Sequence, residues 1–116
     1  MKNENVIVDK SRYFAVRIAK LYRYIRVKYN ENIMCKQLLR SGTSIGANVS
    51  EAIRGQSSAD FYSKMNIALK EASETEYWLI ILYESKYLTE KEYTSINNDC
   101  KELNRILTSI VKHNQK

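Results

Sequence analysis

A run of small residues at positions 37–52, QLLRSGTSIGANVSEA, is the first place in this sequence where chemistry is conceivable. Gly42 and Gly46 lie four residues apart there, among serines and an asparagine. Glycine-rich loops cradle phosphates when they join a strand to a helix and carry a Lys-Ser or Lys-Thr pair. Here that pair is missing, and the spacing of the apolar residues places both glycines inside a helix. The sequence therefore predicts no nucleotide-binding loop.

Residues that could activate a nucleophile or bind a metal ion are scarce. The chain has one histidine, His113, three residues from its end, so the serines lack a general base. Cys35 and Cys100 lack the spacing of a zinc site or a disulfide framework. Di-iron bundles need Glu-x-x-His motifs, and the sequence has no suitable histidine. We therefore expect a protein that is not an enzyme and that uses no metal ion or cofactor.

The composition predicts long helices joined by short connections. The chain has 116 residues with no proline and three glycines, and it lacks the alternating pattern of strands. Its length suits one domain, residues 1–116. We predict an all-α fold, an antiparallel up-down-up-down four-helix bundle. The helices are predicted to span Asp9 or Ser11 to Tyr29, residues 33–54, residues 58–87 and residues 90–113.

Two pairs of polar residues mark the starts of the last two helices. Ser57 is followed three positions later by Asp60, and Thr89 is followed by Glu92. A Ser or Thr at the N-cap accepts a hydrogen bond from the backbone three residues on, and an acidic residue there can reach back. These pairs predict the N-termini of the third and fourth helices.

Two glycines inside a helix need a structural reason, because each costs about 1 kcal/mol relative to alanine. Gly42 and Gly46 lie toward a neighbouring helix on a helical wheel. The third helix folds back after a short turn and brings the small residues Ala68 and Ala72 opposite them. We predict that the second and third helices pack closely at these four residues.

Glu76 falls in line with apolar residues of the third helix, so its carboxylate must be paired or neutral. If the second and third helices are antiparallel, Glu76 lies within about one helical turn of Arg40. We predict an ion pair between Arg40 and Glu76.

Positive charge is concentrated in the first helix. Of the chain's 19 basic residues, seven lie at positions 10–30, which hold no acidic residue; the rest of the chain has 12 basic against 13 acidic residues. A positive strip with aromatic residues suits phosphate contacts and base stacking. The alternative is a solvated basic face whose apolar residues touch another subunit. The predicted nucleic-acid contacts are Arg12, Arg17, Lys20, Arg23 and Arg26, with Tyr13 and Tyr24.

The third helix carries more apolar surface than one small bundle can cover. Its segment YWLIILY, residues 77–83, has seven consecutive residues without a charge. Ile67, Trp78 and Ile81 lie on a flank away from the main apolar seam. We predict a subunit interface on this flank and rank a ligand pocket lower.

The segments KQLLRSGTSIGANVSEA and GQSSADFYSKMNIALKEASETEYWL resemble a bacterial four-helix-bundle family. Its founding members are encoded within intervening sequences of 23S ribosomal RNA genes and are often labelled ribosomal-protein-like. The resemblance is densest over residues 36–79. It implies an antiparallel four-helix bundle assembled as a ring-shaped homopentamer, with no established catalytic site. One relative, the accessory variability determinant of diversity-generating retroelements, binds nucleic acid and a reverse transcriptase.

Two functions follow as expectations. In the first, the protein is a homo-oligomeric module whose basic first helix binds RNA or DNA. In the second, it is an oligomeric scaffold for another protein, such as a reverse transcriptase, and does not bind nucleic acid. The N-terminal segment lacks the apolar run of a signal peptide, and no apolar stretch is long enough to span a membrane. We therefore expect a cytoplasmic protein.

Overall fold

The structure of the protein, a computed structural model, describes residues 2–114. All regular secondary structure in this range is helical, and it contains no strand, which confirms the all-α prediction. The four helices are α1 (Lys2–Tyr29), α2 (Met34–Ile53), α3 (Ser58–Glu84) and α4 (Glu90–His113).

The four helices enclose one apolar core. Helices α1 and α3 each contact both α2 and α4, whereas within residues 2–114 the pairs α1–α3 and α2–α4 do not approach closely. The molecule measures 45 × 21 × 18 Å. None of these helices has an apolar segment long enough to cross a bilayer. Fully buried core side chains come from every helix and include Phe14, Ile18, Ile25, Leu38, Ile45, Val49, Met65, Leu79, Leu103 and Leu107.

Helix α1 begins earlier than the sequence predicted. Neither Asp9 nor Ser11 starts it, because the helix already runs from Lys2. Ile7 is fully buried and Val8 packs against the core, so apolar contacts hold the chain in helical form before Asp9. Ser11 is buried inside the helix, and its hydroxyl donates a hydrogen bond to the carbonyl of Val8 at 3.3 Å.

The carboxylate of Glu31 caps the N-terminus of α2. It accepts hydrogen bonds from the backbone N–H groups of Ile33 (3.1 Å), Met34 (2.9 Å) and Cys35 (2.9 Å). Partial burial opposes ionisation of Glu31, but these three donors outweigh it and hold its pKa below the ordinary value. The cap sets the start of α2 one residue after the predicted position 33.

The predicted starts of α3 and α4 are confirmed. The Ser57 hydroxyl accepts a hydrogen bond from the backbone N–H of Asp60 at 3.1 Å. At α4 both halves of a capping box are present: Thr89 accepts from the N–H of Glu92 at 3.1 Å, and the Glu92 carboxylate accepts from the N–H of Thr89 at 2.9 Å. Each helix therefore begins where its local polar pair predicts.

Helix α3 ends at Glu84, three residues before the predicted position 87. Lys86 has a φ of 70°, which is the left-handed conformation that terminates many helices. The N–H of Lys86 donates to the carbonyl of Tyr83 at 3.0 Å, and the N–H of Tyr87 donates to that of Leu82 at 2.8 Å. This is a Schellman motif with lysine where glycine is usual.

Close packing at Gly42 and Gly46 involves α1, not α3, so the predicted partner was wrong. A Cβ atom added at Gly42 would lie 2.8 Å from two side-chain carbons of Ile18. One added at Gly46 would lie 3.3 Å from the carbonyl oxygen of Ser11. Ala72 is fully buried, and its backbone carbonyl accepts a hydrogen bond from the Cys100 thiol of α4 at 3.5 Å. Ala68 is fully buried in the core.

Two buried hydroxyls lie between α2 and α3. The side-chain oxygens of Ser41 and Thr75 are 3.0 Å apart, and both residues are fully buried. The Thr75 hydroxyl also lies 2.8 Å from the carbonyl of Glu71 in the preceding turn. Ser41 of α2 thus faces α3, while the glycines of α2 face α1.

Candidate nucleic-acid interface

The face of α1 that points away from the core carries exposed apolar and aromatic side chains among its cations. Tyr13 is 64% exposed, Val16 49% and Val27 82%. Water-exposed side chains of this size on one helical face indicate a surface that a partner can cover. The basic residues Arg12, Lys20, Arg23 and Arg26 are also exposed on this helix.

Arg17 is not free on that face. Its guanidinium lies 2.6 Å from the carboxylate of Asp99 on α4 and also donates to the side chain and carbonyl of Ser95. Only 29% of the Arg17 side chain is exposed. Arg17 thus joins α1 to α4, and its predicted contact with a phosphate would require it to leave Asp99. Lys10 makes a second link to α4, with Glu102 at 3.2 Å.

The other four cations that were predicted to contact phosphates differ from Arg17 in their surroundings. Within residues 2–114, Lys20 and Arg23 form no ion pair, and Arg12 has only a 3.6 Å contact with the exposed Asp9. Arg26 donates to the Tyr22 hydroxyl at 3.2 Å. These four positions therefore leave positive charge available to a partner.

The C-terminal end of α1 combines a lysine with tyrosines. Lys28 donates to the Tyr24 hydroxyl at 2.9 Å, and its ammonium lies 5.3 Å from the ring centres of Tyr24 and Tyr29. The hydrogen bond to Tyr24 is the main cause that raises the pKa of Lys28. Lys28 therefore keeps its charge beside the predicted stacking residue Tyr24.

An open groove of about 570 Å³ runs between α1 and α4. Tyr13 and Tyr24 line it from α1, and the more buried Leu21 and Ile96 form its apolar floor. Cations lie along it as well: Lys20 on α1 and Lys91 on α4. The groove thus combines aromatic rings, an apolar floor and two ammonium groups. This combination suits an anion that carries an aromatic ring.

The sequence predicted only the α1 side of this groove. Lys91, Ser95 and Ile96 of α4 also line it. Lys91 follows the Thr89 cap by two residues, so its place in the first turn of α4 was predictable. Which helix that turn faces depends on how α4 packs against the other helices, and no short segment of the sequence indicates it.

The one acidic residue that lines the groove, Glu92, is already engaged. Its carboxylate closes the capping box with Thr89. The backbone hydrogen bond from Thr89 is the main cause that lowers the pKa of Glu92, and the hydroxyl of Tyr24 and the charge of Lys28 act in the same direction. Glu92 is therefore ionised at neutral pH but is held toward the start of α4 by its own cap.

The predicted ion pair between Arg40 and Glu76 is wrong. Arg40 contacts the carboxylates of Glu71 and Glu74, and its hydrogen bond is the main cause that lowers the pKa of Glu74. Glu76 points to the other side of α3, where its carboxylate accepts from the Asn104 amide at 2.7 Å. Glu76 is therefore partnered by α4 rather than by α2.

The predicted interface residues of α3 lie on the flank beside α2. Ile67 is 37% exposed, whereas Trp78 and Ile81 are partly buried. The indole N–H of Trp78 donates to Glu74 at 3.1 Å, which ties it to the cluster around Arg40. Tyr77, at 55%, is the most exposed of the large hydrophobic residues described in α3.

Metal and thiol chemistry have little basis in the described residues. Among the side chains that the structure describes, residues 5–114, no group of three or more His, Cys, Asp or Glu is placed to hold a metal ion. Burial raises the pKa of Cys35 to about 11 and that of Cys100 to about 12. Both thiols are therefore protonated at neutral pH and are poor nucleophiles.

Comparisons with known proteins agree with this architecture. The family model described as 23S rRNA-intervening sequence protein matches residues 3–109. A crystal structure of a protein of unknown function from the S23 ribosomal protein family of Bacteroides thetaiotaomicron is 56% identical. The match covers 95% of this chain and 98% of that one, with a TM-score of 0.93. Among curated proteins, none matches this sequence.

Proposed function

The chain belongs to the 23S rRNA-intervening sequence protein family, and we propose that it is a non-enzymatic, homo-oligomeric module that binds RNA or DNA through α1. One observation carries the proposal: the formal net charge of +6 arises from residues 10–30. Nucleic-acid backbones attract such a surface whatever their sequence, because binding releases condensed counterions. We therefore expect the charge of the partner to contribute more to binding than its base sequence.

The exposed cations have a suitable reach. Arg12 and Arg26 are fourteen residues apart on one helix, which is about 21 Å. A duplex strand carries one phosphate per ~3.4 Å of axis, so this distance spans about six phosphates. Lys20 and Arg23 lie between the two ends. Weakly sequence-specific binding is expected, since long flexible cations contact phosphates and not base edges.

The same proposal includes assembly. We take the helices to alternate in direction, up-down-up-down, which the short connections and the cyclic order of helix contacts support. The resemblance implies a pentamer, and exposed apolar residues on α1 and α3 supply surface that subunits can bury. We place the protein in the cytoplasm. Light scattering should give a mass several times that of one chain, and a monomer at micromolar concentration would contradict this part.

The test of nucleic-acid binding removes the exposed charge of α1. A variant with glutamine at Arg12, Lys20, Arg23 and Arg26 should bind RNA and DNA much more weakly than the parent and show a smaller dependence on salt. Arg17 is left intact because it holds α4. Fluorescence anisotropy with structured RNA, single-stranded RNA and duplex DNA measures the effect.

A matched control removes the same charge elsewhere. Glutamine at Lys36, Lys70, Lys101 and Arg105, all exposed outside α1, lowers the net charge equally. This control should retain most of the affinity. Equal losses in both variants would show that only total charge matters, and a parent that binds no nucleic acid at low salt would contradict the proposal. Circular dichroism and mass must match the parent in both variants.

A second candidate function is an oligomeric protein scaffold without nucleic-acid binding. The observation in its favour is the exposed apolar surface of α3, where Tyr77 and Ile80 are 55% and 39% exposed. A protein partner such as a reverse transcriptase would cover this surface. Binding of such a partner that survives the quadruple change in α1, together with absence of nucleic-acid binding, would favour the scaffold.

A further inference from the structure

The groove between α1 and α4 differs from the rest of the basic surface. Elsewhere on α1, Arg23 and Arg26 line a separate and smaller recess of about 480 Å³, in which Tyr22 is the one aromatic side chain among the described residues. In the groove, Tyr13 and Tyr24 line an apolar recess that reaches Leu21 and Ile96. Its volume of about 570 Å³ falls within the roughly 300–1,000 Å³ typical of small-ligand sites. A flat aromatic group would therefore be removed from water here.

We propose that this groove receives unpaired bases of a single-stranded nucleic acid, which stack on Tyr13 and Tyr24 while Lys20 and Lys91 contact the adjoining phosphates. The inference rests on the proposed function and narrows it from any nucleic acid to a single strand. The two tyrosines are eleven residues apart, or about 16 Å along α1, so they stack on two different bases.

Charge favours this occupant over a second copy of the chain that meets the groove with its own groove. Within residues 2–114, neither Lys20 nor Lys91 has a carboxylate partner, and Glu92 is engaged in its capping box. Two copies that met groove to groove would bring these lysines together and would repel one another. A nucleic-acid strand supplies phosphates for the lysines and a ring for the apolar recess at the same time.

Base geometry favours a single strand over a duplex. In a duplex the faces of the bases are stacked on their neighbours, so Tyr13 and Tyr24 could reach them only after unstacking. In an unpaired strand every base has a free face, and stacking on an aromatic side chain depends little on which base it is. The groove therefore favours single strands without strong sequence preference.

The experiment compares parent and tyrosine variants by fluorescence anisotropy, with a mixed-sequence single strand and its own duplex, each as RNA and as DNA. The parent should bind both single strands more tightly than the duplexes. Tyr13→Leu and Tyr24→Leu should each weaken single-strand binding roughly 5- to 150-fold, as expected for one lost stacked base. Tyr13→Phe and Tyr24→Phe keep the ring and should bind like the parent.

Tyr77→Leu is the matched control, since Tyr77 is an exposed tyrosine on α3, outside the groove. It should leave binding unchanged. The position is checked independently by ultraviolet cross-linking of a strand that contains 5-iodouracil, followed by mass spectrometry of the peptides. Cross-links should map to Tyr13 and Tyr24.

Three results would overturn the inference. Leucine variants that bind a single strand like the parent would show that the rings are not used. Cross-links confined to other aromatic residues would place the strand elsewhere. Leucine variants with a smaller oligomeric mass than the parent would make the groove a subunit contact. If nucleic acid still binds after any of these three results, and binding still depends on the cations of α1, the proposed function is retained and only the groove is ruled out. If the parent protein binds no nucleic acid, both the proposed function and the inference about the groove are wrong.

Discussion

The close approach of α2 to α1 at Gly42 gives the sharpest stability prediction. Gly42 of α2 faces Ile18 of α1, and a Cβ atom at position 42 would lie 2.8 Å from both Cγ1 and Cγ2 of Ile18. Carbon atoms in contact are normally about 3.5–4.0 Å apart, so the added methyl is too close by about 1 Å. Ile18 is fully buried and branched at Cβ, so it has little freedom to turn away.

Two terms set the magnitude for Gly42→Ala. Overpacking a filled core typically costs about 1–3 kcal/mol. Alanine gains about 1 kcal/mol over glycine inside a helix. We therefore expect Gly42→Ala to range from about neutral to a net destabilisation of ~2 kcal/mol, instead of the gain of about 1 kcal/mol that alanine brings where there is room for its methyl group. Gly46→Ala should be close to neutral, because its nearest contact would be 3.3 Å from the Ser11 carbonyl and a small shift relieves it.

Urea denaturation followed by circular dichroism measures both variants, at one protomer concentration because oligomers gain stability from assembly. Ala47→Gly, at a position of α2 outside the core, is the control that measures helix preference in this helix. A double-mutant cycle with Ile18→Ala isolates the contact. Ile18→Ala alone should cost about 2–5 kcal/mol, and the pair should cost less than the sum by about 1–3 kcal/mol.

The reasoning fails if Gly42→Ala is more stable than the parent by as much as Ala47→Gly is less stable, since the added methyl would then meet no resistance from Ile18. It also fails if the two substitutions are additive, since the methyl added at position 42 would then not occupy the space that Ile18 vacates.

Three further predictions concern single residues. Glu31→Ala should lower the free energy of unfolding by about 1 kcal/mol at neutral pH. The pKa of Glu31 is lower in the folded state than its value of about 4.3 in the unfolded state, so its stabilising contribution is present above that value and is lost as pH falls through the folded-state pKa. Parent and variant should therefore become equally stable in acid. Lys86→Gly should raise stability by about 0.5–1 kcal/mol in thermal melts, because glycine adopts the positive φ without strain; an unchanged melting temperature would contradict this. Thr75→Val should cost about 1–2 kcal/mol in urea, and adding Ser41→Ala should recover part of it, whereas a further loss would show that the hydroxyls are not coupled.

The local features of the fold were predictable from sequence. The caps at Ser57 and Thr89 are confirmed, and the family resemblance is confirmed by the match over residues 3–109. A cap depends on a few consecutive residues, so the sequence contains all of its chemistry. The start of α1 was missed for the opposite reason: Asp9 and Ser11 look like caps, but burial of Ile7 overrides them.

Two wrong assignments have one physical cause. A helical wheel gives the angle between side chains but not the side on which each neighbouring helix lies, and four helices can be arranged in either hand. Gly42 was assigned to α3 and Glu76 to α2, whereas they face α1 and α4. Both assignments would be correct for the opposite hand. That choice depends on how all four helices pack, which no short segment of the sequence specifies.

Some basic residues of α1 form ion pairs within the chain and others are available for the proposed phosphate contacts. This division limits how steeply the affinity for nucleic acid should depend on salt. Lys10 and Arg17 pair with Glu102 and Asp99 of α4, so they neutralise carboxylates of the same chain. Lys28 contacts two tyrosines, Tyr24 and Tyr29, whereas Arg26 contacts only Tyr22, so we count the exposed cations at positions 12, 20, 23 and 26 as those of α1 that would contact phosphates. Each phosphate contact with a single strand contributes about −0.7 to the slope of log K against log salt, so these four cations of α1 should contribute about −3 for one protomer, apart from the single contact of Lys91 on α4. All seven basic residues together would give about −5. A measured slope near the larger value would mean that Arg17 leaves Asp99 when nucleic acid binds, and Asp99→Asn should then change the affinity. With the slope near −3, that substitution should affect stability and leave binding unchanged.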